Sequence, residues 1–279
     1  MKLSIITINY NNLSGLRKTV ESVFAQTCRD FEYIIIDGAS TDGSKEYLDS
    51  INVNNVADKA NTDKLQITNY KLQIISEPDT GIYNAMNKGI RFATGEYCLF
   101  LNSGDFLVAS DVWERVFCTL VSADILCARC NVSDNGKVVW TSNPPQNVTF
   151  GTLYFVGLAH QSTFIRRSLF DSLGLYDETY RYNADTEFWY RAIIIHNATT
   201  QRVDVITTDY NLDGVSATHK NDLSFKEEHR CIESNPLFAK FIPDYEQWRC
   251  EKSIVNEYVW INSHPVLRRL LHLMHRIVK

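Results

Sequence analysis

Apolar residues along this chain come alternately in short continuous runs and in stripes of helical spacing. Leu3–Asn9 is a run of strand length, residues 13–26 place Leu16, Val20, Val23 and Phe24 on one helical face, and Phe31–Asp37 is a second run. Together they predict a βαβ opening whose strands are buried on both faces, as in a parallel sheet. Gly38 to Ser44 carries the turn chemistry that ends the second strand and starts another helix, with Asp42-Gly43 as its sharpest signal. Both strands then end at one edge of the sheet.

Residues 52–70 break this pattern. They are polar, rich in Asn, Asp and Lys, and their Lys64-Leu65-Gln66-Ile67 is repeated as Lys71-Leu72-Gln73-Ile74. Two copies are too few for a repeat architecture, so the stretch predicts a surface insertion or a lengthened hairpin ahead of a third strand. Next, 81–93 reads as a helix after the turn Pro78-Asp79-Thr80, 97–101 as a buried strand, and 111–121 as a helix with Val112, Val116 and Leu120 inside. Thereafter the order is less parallel. A hairpin of 124–132 and 137–142 turns at Asp134-Asn135-Gly136, 143–159 is a loop, 161–166 a strand, 167–173 a helix, 184–196 a helix and 202–210 a strand. The alternation predicts an α/β fold with a mixed, mostly parallel central sheet flanked by helices over 1–215, and a helical extension over 216–279.

Composition adds exclusions. The 279 residues are 44% hydrophobic, enough for one sizeable core, and the net charge of −5 supplies no global positive field for nucleic acid. Seven cysteines, an odd number without framework spacing, point to a reducing compartment. Cys127 and Cys130 form a CxxC, yet in a strand-like run with no second pair they read as structural thiols rather than metal ligands. Only Lys2 precedes a short apolar run, and no stretch approaches the ~18 apolar residues of a membrane span. The expectation is a cytoplasmic protein, peripheral at the membrane if residues 263–279 lie on it. There Val266, Leu267, Leu270, Leu271, Met274, Ile277 and Val278 fall at helical spacing beside Arg268, Arg269, Arg276 and Lys279. Such a helix suits an anionic lipid surface, and equally suits packing on its own domain or on a second subunit.

Carboxylates at strand and helix ends carry the chemistry. Asp105 follows the run 97–101 through Asn102, Ser103 and Gly104, the place where open α/β sheets bind ligands and where an oxygen ligand can hold a hard divalent cation against a diphosphate. Asp37 ends the second strand, and could equally bind its own turn. Asn84, Asn87 and Lys88 share a helical face, either turned toward ligand or merely solvated. On the helix at 184–196, Asp185 shares a face with Phe188, Trp189 and Ala192, while Glu187 points away with Arg191, its expected ion-pair partner.

The opening MKLSIITINYNN, the segment YIIIDGASTDGS, EPDTGIYNAMNKGI followed by LNSGD, then HQSTFIRRSLFDSLGLYDE and NADTEFWYRA, resemble in order the inverting family 2 glycosyltransferases of the GT-A fold. Within them the likeness is to the bacterial branch that builds O-antigens, capsules and other surface polysaccharides, and it covers roughly residues 1–215. The resemblance implies transfer from a UDP-sugar to a saccharide acceptor, which can be polyprenyl-linked, with Mg²⁺ or Mn²⁺ at Asp105. It puts base and ribose at Thr7, Asn9, Tyr10 and Asn11, although Asn11 or Asn12 could simply cap the helix. Asp37 would accept the imide N–H of uracil. Asp79, Asn84, Asn87, Lys88 and Asn102 would meet the rest of the donor, His160, Gln161 and Trp189 the acceptor side, and Asp185 would be the catalytic base. The chain departs from the family pattern at Gly38, Asn102 and Ala184, where relatives often carry acids. A nucleotidyltransferase would want a Gly-rich basic loop after the first strand, which NYNN does not offer. A catalytically silent sugar-nucleotide binding module is the competing class.

Overall fold

The structure is a computed structural model and describes residues 2–60, 71–118, 122–134, 136–212, 222–233, 235–248 and 250–252. The chain divides into two compact units, residues 1–231 and 232–279, a boundary later than the expected 216. Residues 263–279 lie outside the described residues, and with them the expected interfacial helix.

In the first unit, strand β1 (Leu3–Asn9) is followed by helix α1 (Leu13–Phe24), β2 (Phe31–Asp37), α2 (Ser44–Ala60), β3 (Lys71–Ser76), α3 (Ile82–Phe92) and β4 (Tyr97–Phe100). The strands lie in the order β3-β2-β1-β4 and run parallel, with Asn9 opposite Asp37 and Asp37 opposite Ser76. Their carboxyl ends therefore meet along one edge, as the βαβ pattern requires. The short β5 (Phe106–Leu107) and α4 (Val112–Phe117) come next, then β6 (Ile125–Asp134), β7 (Lys137–Thr141), α5 (Phe150–Phe155), β8 (Thr163–Arg166), α6 (Ser168–Leu173), α7 (Ala184–Trp189) and β9 (Thr200–Asn211). Beyond β4 the sheet continues β8-β6-β9-β5, with β8 antiparallel to both neighbours, β9 parallel to β6, and β7 paired with the second half of β6.

The predicted stripes build the core. Leu16, Val20 and Val23 of α1 pack with Leu3 and Ile5 of β1, Tyr33 and Ile35 of β2 and Leu99 and Leu101 at β4, all at most 1% exposed. Each such side chain contributes roughly 1.5–3 kcal/mol relative to exposure. On the other face α3 lies so close to β1 that a methyl group on Gly89 would overlap Ile6.

Three elements differ from expectation. Residues 52–60 continue α2 rather than forming a loop, since nothing from Ser44 to Ala60 is Gly or Pro to stop a helix; 61–70 lie outside the described residues. The expected loop 143–159 contains α5, started by Thr149, whose hydroxyl accepts from Thr152 N while Thr152 bonds back to the backbone of Thr149. The helix expected over 184–196 is α-helical only to Trp189 and widens to π-helical over Tyr190–Ile195. Across that junction Arg191 donates to the carbonyls of Leu173, Gly174 and Leu175.

Candidate active site

The carboxyl ends of β1, β2 and β3 converge on Asp37. It is fully buried, and four donors surround it: Asn9 Nδ2 at 2.8 Å and Ser40 Oγ at 2.6 Å on Oδ1, Ser40 N at 3.1 Å and Ser76 Oγ at 2.8 Å on Oδ2. A carboxylate so saturated organises the loops after three strands and has no oxygen left for a base. Asp37, expected to receive the uracil imide, is within this geometry a structural hub with two protein donors on each oxygen. Thr7 is likewise enclosed, 3.0 Å from the Tyr33 hydroxyl. Asn12, not Asn11, caps α1, accepting from Gly15 N at 3.1 Å, and its amide donates to Ser103 O. Asn11 adopts a positive φ of 48° and receives Thr41 N. Its own N–H donates to Ser40 Oγ.

Open to solvent beside this hub is Tyr10, 68% exposed. Gly38 separates it from Asp79: a Cβ on Gly38 would lie 2.6 Å from Asp79 Oδ2 and 3.1 Å from the Tyr10 ring. The glycine where relatives often carry an acid thus lets a carboxylate from after β3 approach the same spot. Burial raises the pKa of Asp79, helped by the negative charge of Asp37 and opposed by the Gly81 N–H and by Lys88.

Asn84, Asn87 and Lys88 do share a face of α3, but protein groups fill it. Asn84 donates to Glu178, while the buried Asn87 donates to Tyr176 O and Glu178 and accepts from Tyr176 N. Lys88 pairs with Glu77 at 2.8 Å and donates to Pro78 O. Within this geometry these three hold loops in place, Lys88 through an ion pair with the exposed Glu77.

The loop after β4 forms the other side of the site. Gly104 takes a φ of 110°, and Thr19 of α1 accepts from Gly104 N while its hydroxyl lies 2.7 Å from Asp105 O and 3.3 Å from Asn102 O. The role of Thr19 in this loop gave no sequence signal because its partners there are backbone atoms some 85 residues on. Asp105 is 8% exposed, and burial drives its pKa up to about 7, reinforced by the charge of Asp209 and resisted by His160, the Asn102 backbone and Gln161.

His160, in a single 3₁₀ turn before β8, bridges this loop to α7. Its Nε2 lies 3.2 Å from Asn102 Nδ2 and its Nδ1 3.1 Å from Asp185 Oδ2. Burial works against charging the ring, yet the hydrogen bond and charge of Asp185 and the charge of Asp105 carry its pKa above the ordinary histidine value. The other oxygen of Asp185 is 3.0 Å from the Tyr83 hydroxyl, and 16% of the Asp185 side chain stays exposed. Glu187 faces away, paired with Arg191 at 2.8 Å as expected. Trp189, expected on the acceptor side, is only 1% exposed and packs edge-on against Phe188, so it belongs to the core. The stretch before α7 is held by a further helix, Asp222–Glu233, whose Glu227 accepts from the backbone N–H of Arg181 and of Tyr182 at 2.8 Å.

The family model described as Glycosyl transferase family 2 matches residues 4–174. The chain belongs to that family. A PGL/p-HBAD biosynthesis glycosyltransferase of Mycobacterium bovis (strain BCG / Pasteur 1173P2) is 31% identical over 226 residues, 77% of this chain and 79% of the relative. An uncharacterized glycosyltransferase of Mycobacterium tuberculosis (strain CDC 1551 / Oshkosh) is 29% identical over 82% of each chain. In fold, the chain is similar to S. aureus TarS 1–349 in complex with UDP-GlcNAc, with a TM-score of 0.59 and 17% identity over 83% of this chain and 64% of that one. The mannosyltransferase PcManGT from Pyrobaculum calidifontis, in complex with GDP-Man and Mn²⁺, gives a TM-score of 0.55 and 13% identity over 99% of this chain and 85% of that one. The protein is a glycosyltransferase of the GT-A fold. Divalent cations are typical of this family, and the donor set here suits one: a buried carboxylate on Asp105, with the buried and unpartnered Asn102 Oδ1 in the same loop. Among the described residues no helix is long and apolar enough to cross a membrane.

Proposed function

We propose that this glycosyltransferase is an inverting enzyme that moves a sugar from UDP to a saccharide hydroxyl, in the building of a bacterial surface polysaccharide on a polyprenyl-linked acceptor. The observation that carries the reading is the hydrogen-bonded line Asn102–His160–Asp185, which sets a partly exposed carboxylate facing the loop of Asp105. Asp185 takes the proton of the acceptor hydroxyl as that oxygen attacks the anomeric carbon from the side opposite the diphosphate. General-base assistance of this kind contributes about 10²- to 10⁴-fold, and in-line placement of the two substrates contributes more. Asp105 would hold the Mg²⁺ or Mn²⁺ whose charge offsets that on the departing UDP.

For the base, Tyr10 offers the flat face, and Asp79, brought in across Gly38, is the carboxylate able to accept an imide N–H. The UDP-GlcNAc and UDP complexes of TarS support a UDP donor, and the GDP-Man complex of PcManGT makes GDP-mannose the control. The test is nucleotide release from a panel of UDP- and GDP-sugars, with and without saccharide acceptors. Acceptor-stimulated UDP release with an inverted anomeric product supports the reading. Tight UDP-sugar binding without transfer to any acceptor supports a silent binding module instead.

A further inference from the structure

Asp185 lies in the first turn of α7, where Thr186 N–H donates to its Oδ1 at 2.9 Å and His160 Nδ1 lies 3.1 Å from its Oδ2. A third neighbour is of another kind. The hydroxyl of Tyr83, in the first turn of α3, has one proton and two acceptors in reach: Asp185 Oδ1 at 3.0 Å and the carbonyl oxygen of Tyr182 at 2.6 Å. Neither acceptor is free to swing away, since Glu227 holds the Tyr182 peptide by its N–H at 2.8 Å and His160 holds Asp185. Tyr83 is buried with its ring centroid 5.6 Å from that of Tyr176. Burial, with the charge of Asp185, carries its pKa well above the ordinary tyrosine value, so the hydroxyl keeps its proton. A tie between α3 and the loop before α7 needs only Tyr182 O. A donor locked onto Asp185 would stabilise its ionised form alone and weaken it as a base. One hydroxyl shared between the two acceptors suits a carboxylate that has to be accommodated both charged and neutral.

We propose that Tyr83 is a positioning residue for Asp185: its hydroxyl donates to Oδ1 while the carboxylate is ionised, and turns to Tyr182 O once Asp185 has taken the proton of the acceptor. The proposal rests on the reading of Asp185 as the catalytic base. In the transfer step the acceptor O–H bond breaks, its oxygen bonds to the anomeric carbon, and the bond from that carbon to the diphosphate breaks. The proton stays on Asp185, and the Tyr83 O–H bond is never broken. Rotation about one C–O bond thus gives the hydroxyl an acceptor in both states, with no heavy atom moved and no buried donor left unpaired. The other titratable groups that act on or with Asp185 are His160, Tyr176 and, from the helix Asp222–Glu233, Cys231, while Glu187 on α7 itself faces Arg191. Burial holds Tyr176 well above its ordinary value and pushes Cys231 up to about 12, which leaves His160 as the neighbour whose titration can overlap with that of Asp185.

The test follows the Asp185 carboxyl of the full chain by carbon-13 NMR of labelled aspartate, its signal assigned with Asp185→Asn, and needs no substrate. Tyr83→Phe keeps the ring on Tyr176 and removes the hydroxyl. The titration midpoint should move up by about one pH unit, because the ionised carboxylate loses a donor. The same shift should appear in the His160→Gln background, where the amide can still donate to Asp185 but does not titrate. A ring-fluorinated tyrosine at 83 is a stronger donor of nearly the same size and should move the midpoint down; it decides the matter if Tyr83→Phe does not fold. With the UDP-sugar and saccharide acceptor that release most UDP, Tyr83→Phe should lower kcat about tenfold, with the donor KM within a few-fold of wild type. In the Asp185→Asn background the same change should cost no further kcat, since Tyr83 acts through that carboxylate. A midpoint within about 0.2 pH units of wild type in a folded variant, even one with a lower melting temperature, leaves Tyr83 as a tie to Tyr182 and overturns the proposal. A full further loss of kcat in the Asp185→Asn background overturns it too. If Asp185→Asn itself transfers sugar at near wild-type rate, the base reading falls; if that variant is inactive while the midpoint ignores Tyr83, Tyr83 alone has been misassigned.

Discussion

His160 Nδ1 lies 3.1 Å from Asp185 Oδ2 while the opposite nitrogen of the same ring lies 3.2 Å from Asn102 Nδ2. With the Asn102 amide donating, Nε2 is the acceptor and Nδ1–H donates to Asp185, the neutral form of the ring; the carboxylates around it favour the charged form, in which both nitrogens donate. That arrangement fixes the orientation of the carboxylate. It also leaves Asn102 Oδ1 without a partner, and a half-turn of the amide would offer that oxygen to a protonated ring instead. Asn102, at the position of a missing acid, would thereby serve the proposed base as well as the loop of Asp105. Replacing His160 by Ala should lower kcat by about 10- to 100-fold, the usual cost of losing a group that orients a functional one, with UDP affinity little changed. A kcat within about twofold of wild type would remove His160 from the mechanism.

Asp185→Asn retains the shape and one acceptor oxygen for His160 but cannot take a proton. Transfer should fall by roughly 10²- to 10⁴-fold, and UDP-sugar affinity should stay within a few-fold of wild type. Glu187→Gln should behave oppositely. Its partner Arg191 anchors the Leu173–Leu175 carbonyls, so the expected loss is in melting temperature rather than in transfer. An inactive, stable Gln variant beside an active Asn variant would exchange the two assignments.

Asp37 and Asp79 should separate in the same way. Asp37→Ala strands the buried donors of Asn9 and Ser40, at about 1–3 kcal/mol for each group left unpaired, so thermal unfolding should come early. Asp79→Ala removes a half-exposed carboxylate that makes one backbone contact, at Gly81 N, and should weaken UDP with little change in melting temperature. Gly38→Ala forces the Asp79 carboxylate aside and should reproduce the binding loss. Unchanged UDP affinity in both Asp79→Ala and Gly38→Ala would return the base-binding role to some other group.

Asp105 predicts a pH dependence. Its folded pKa of about 7 lies above the ordinary carboxylate value, so the metal-free fold is favoured by protonation: stability from this group is complete below about pH 4 and is lost as pH rises through 7. Cation binding needs the ionised form and should strengthen across the same window, with release of a proton. Calorimetry in buffers of different ionisation enthalpy measures that proton. Mn²⁺ affinity flat from pH 5.5 to 8, against the expected fall below about 7, speaks against Asp105 as ligand.

The sequence alone determined the framework. Buried strands and amphipathic helices write their periods locally, so β1, α1, β2, α3 and β4 could be located from their apolar positions, and with them the edge where Asp37, Asn102 and Asp105 meet. The opposite facing of Asp185 and Glu187 likewise follows from helix geometry. Tertiary structure decided which of these polar groups are available. Asp37 and Asn87 were spent on loops that the linear pattern cannot place beside them, Trp189 was turned into the core, and Asp79 could approach Tyr10 because Gly38 has no side chain. Thr19 reaches the loop after β4 only through packing with a segment far along the chain, and a hydrogen-bond partner some 85 residues away leaves no mark on the local sequence.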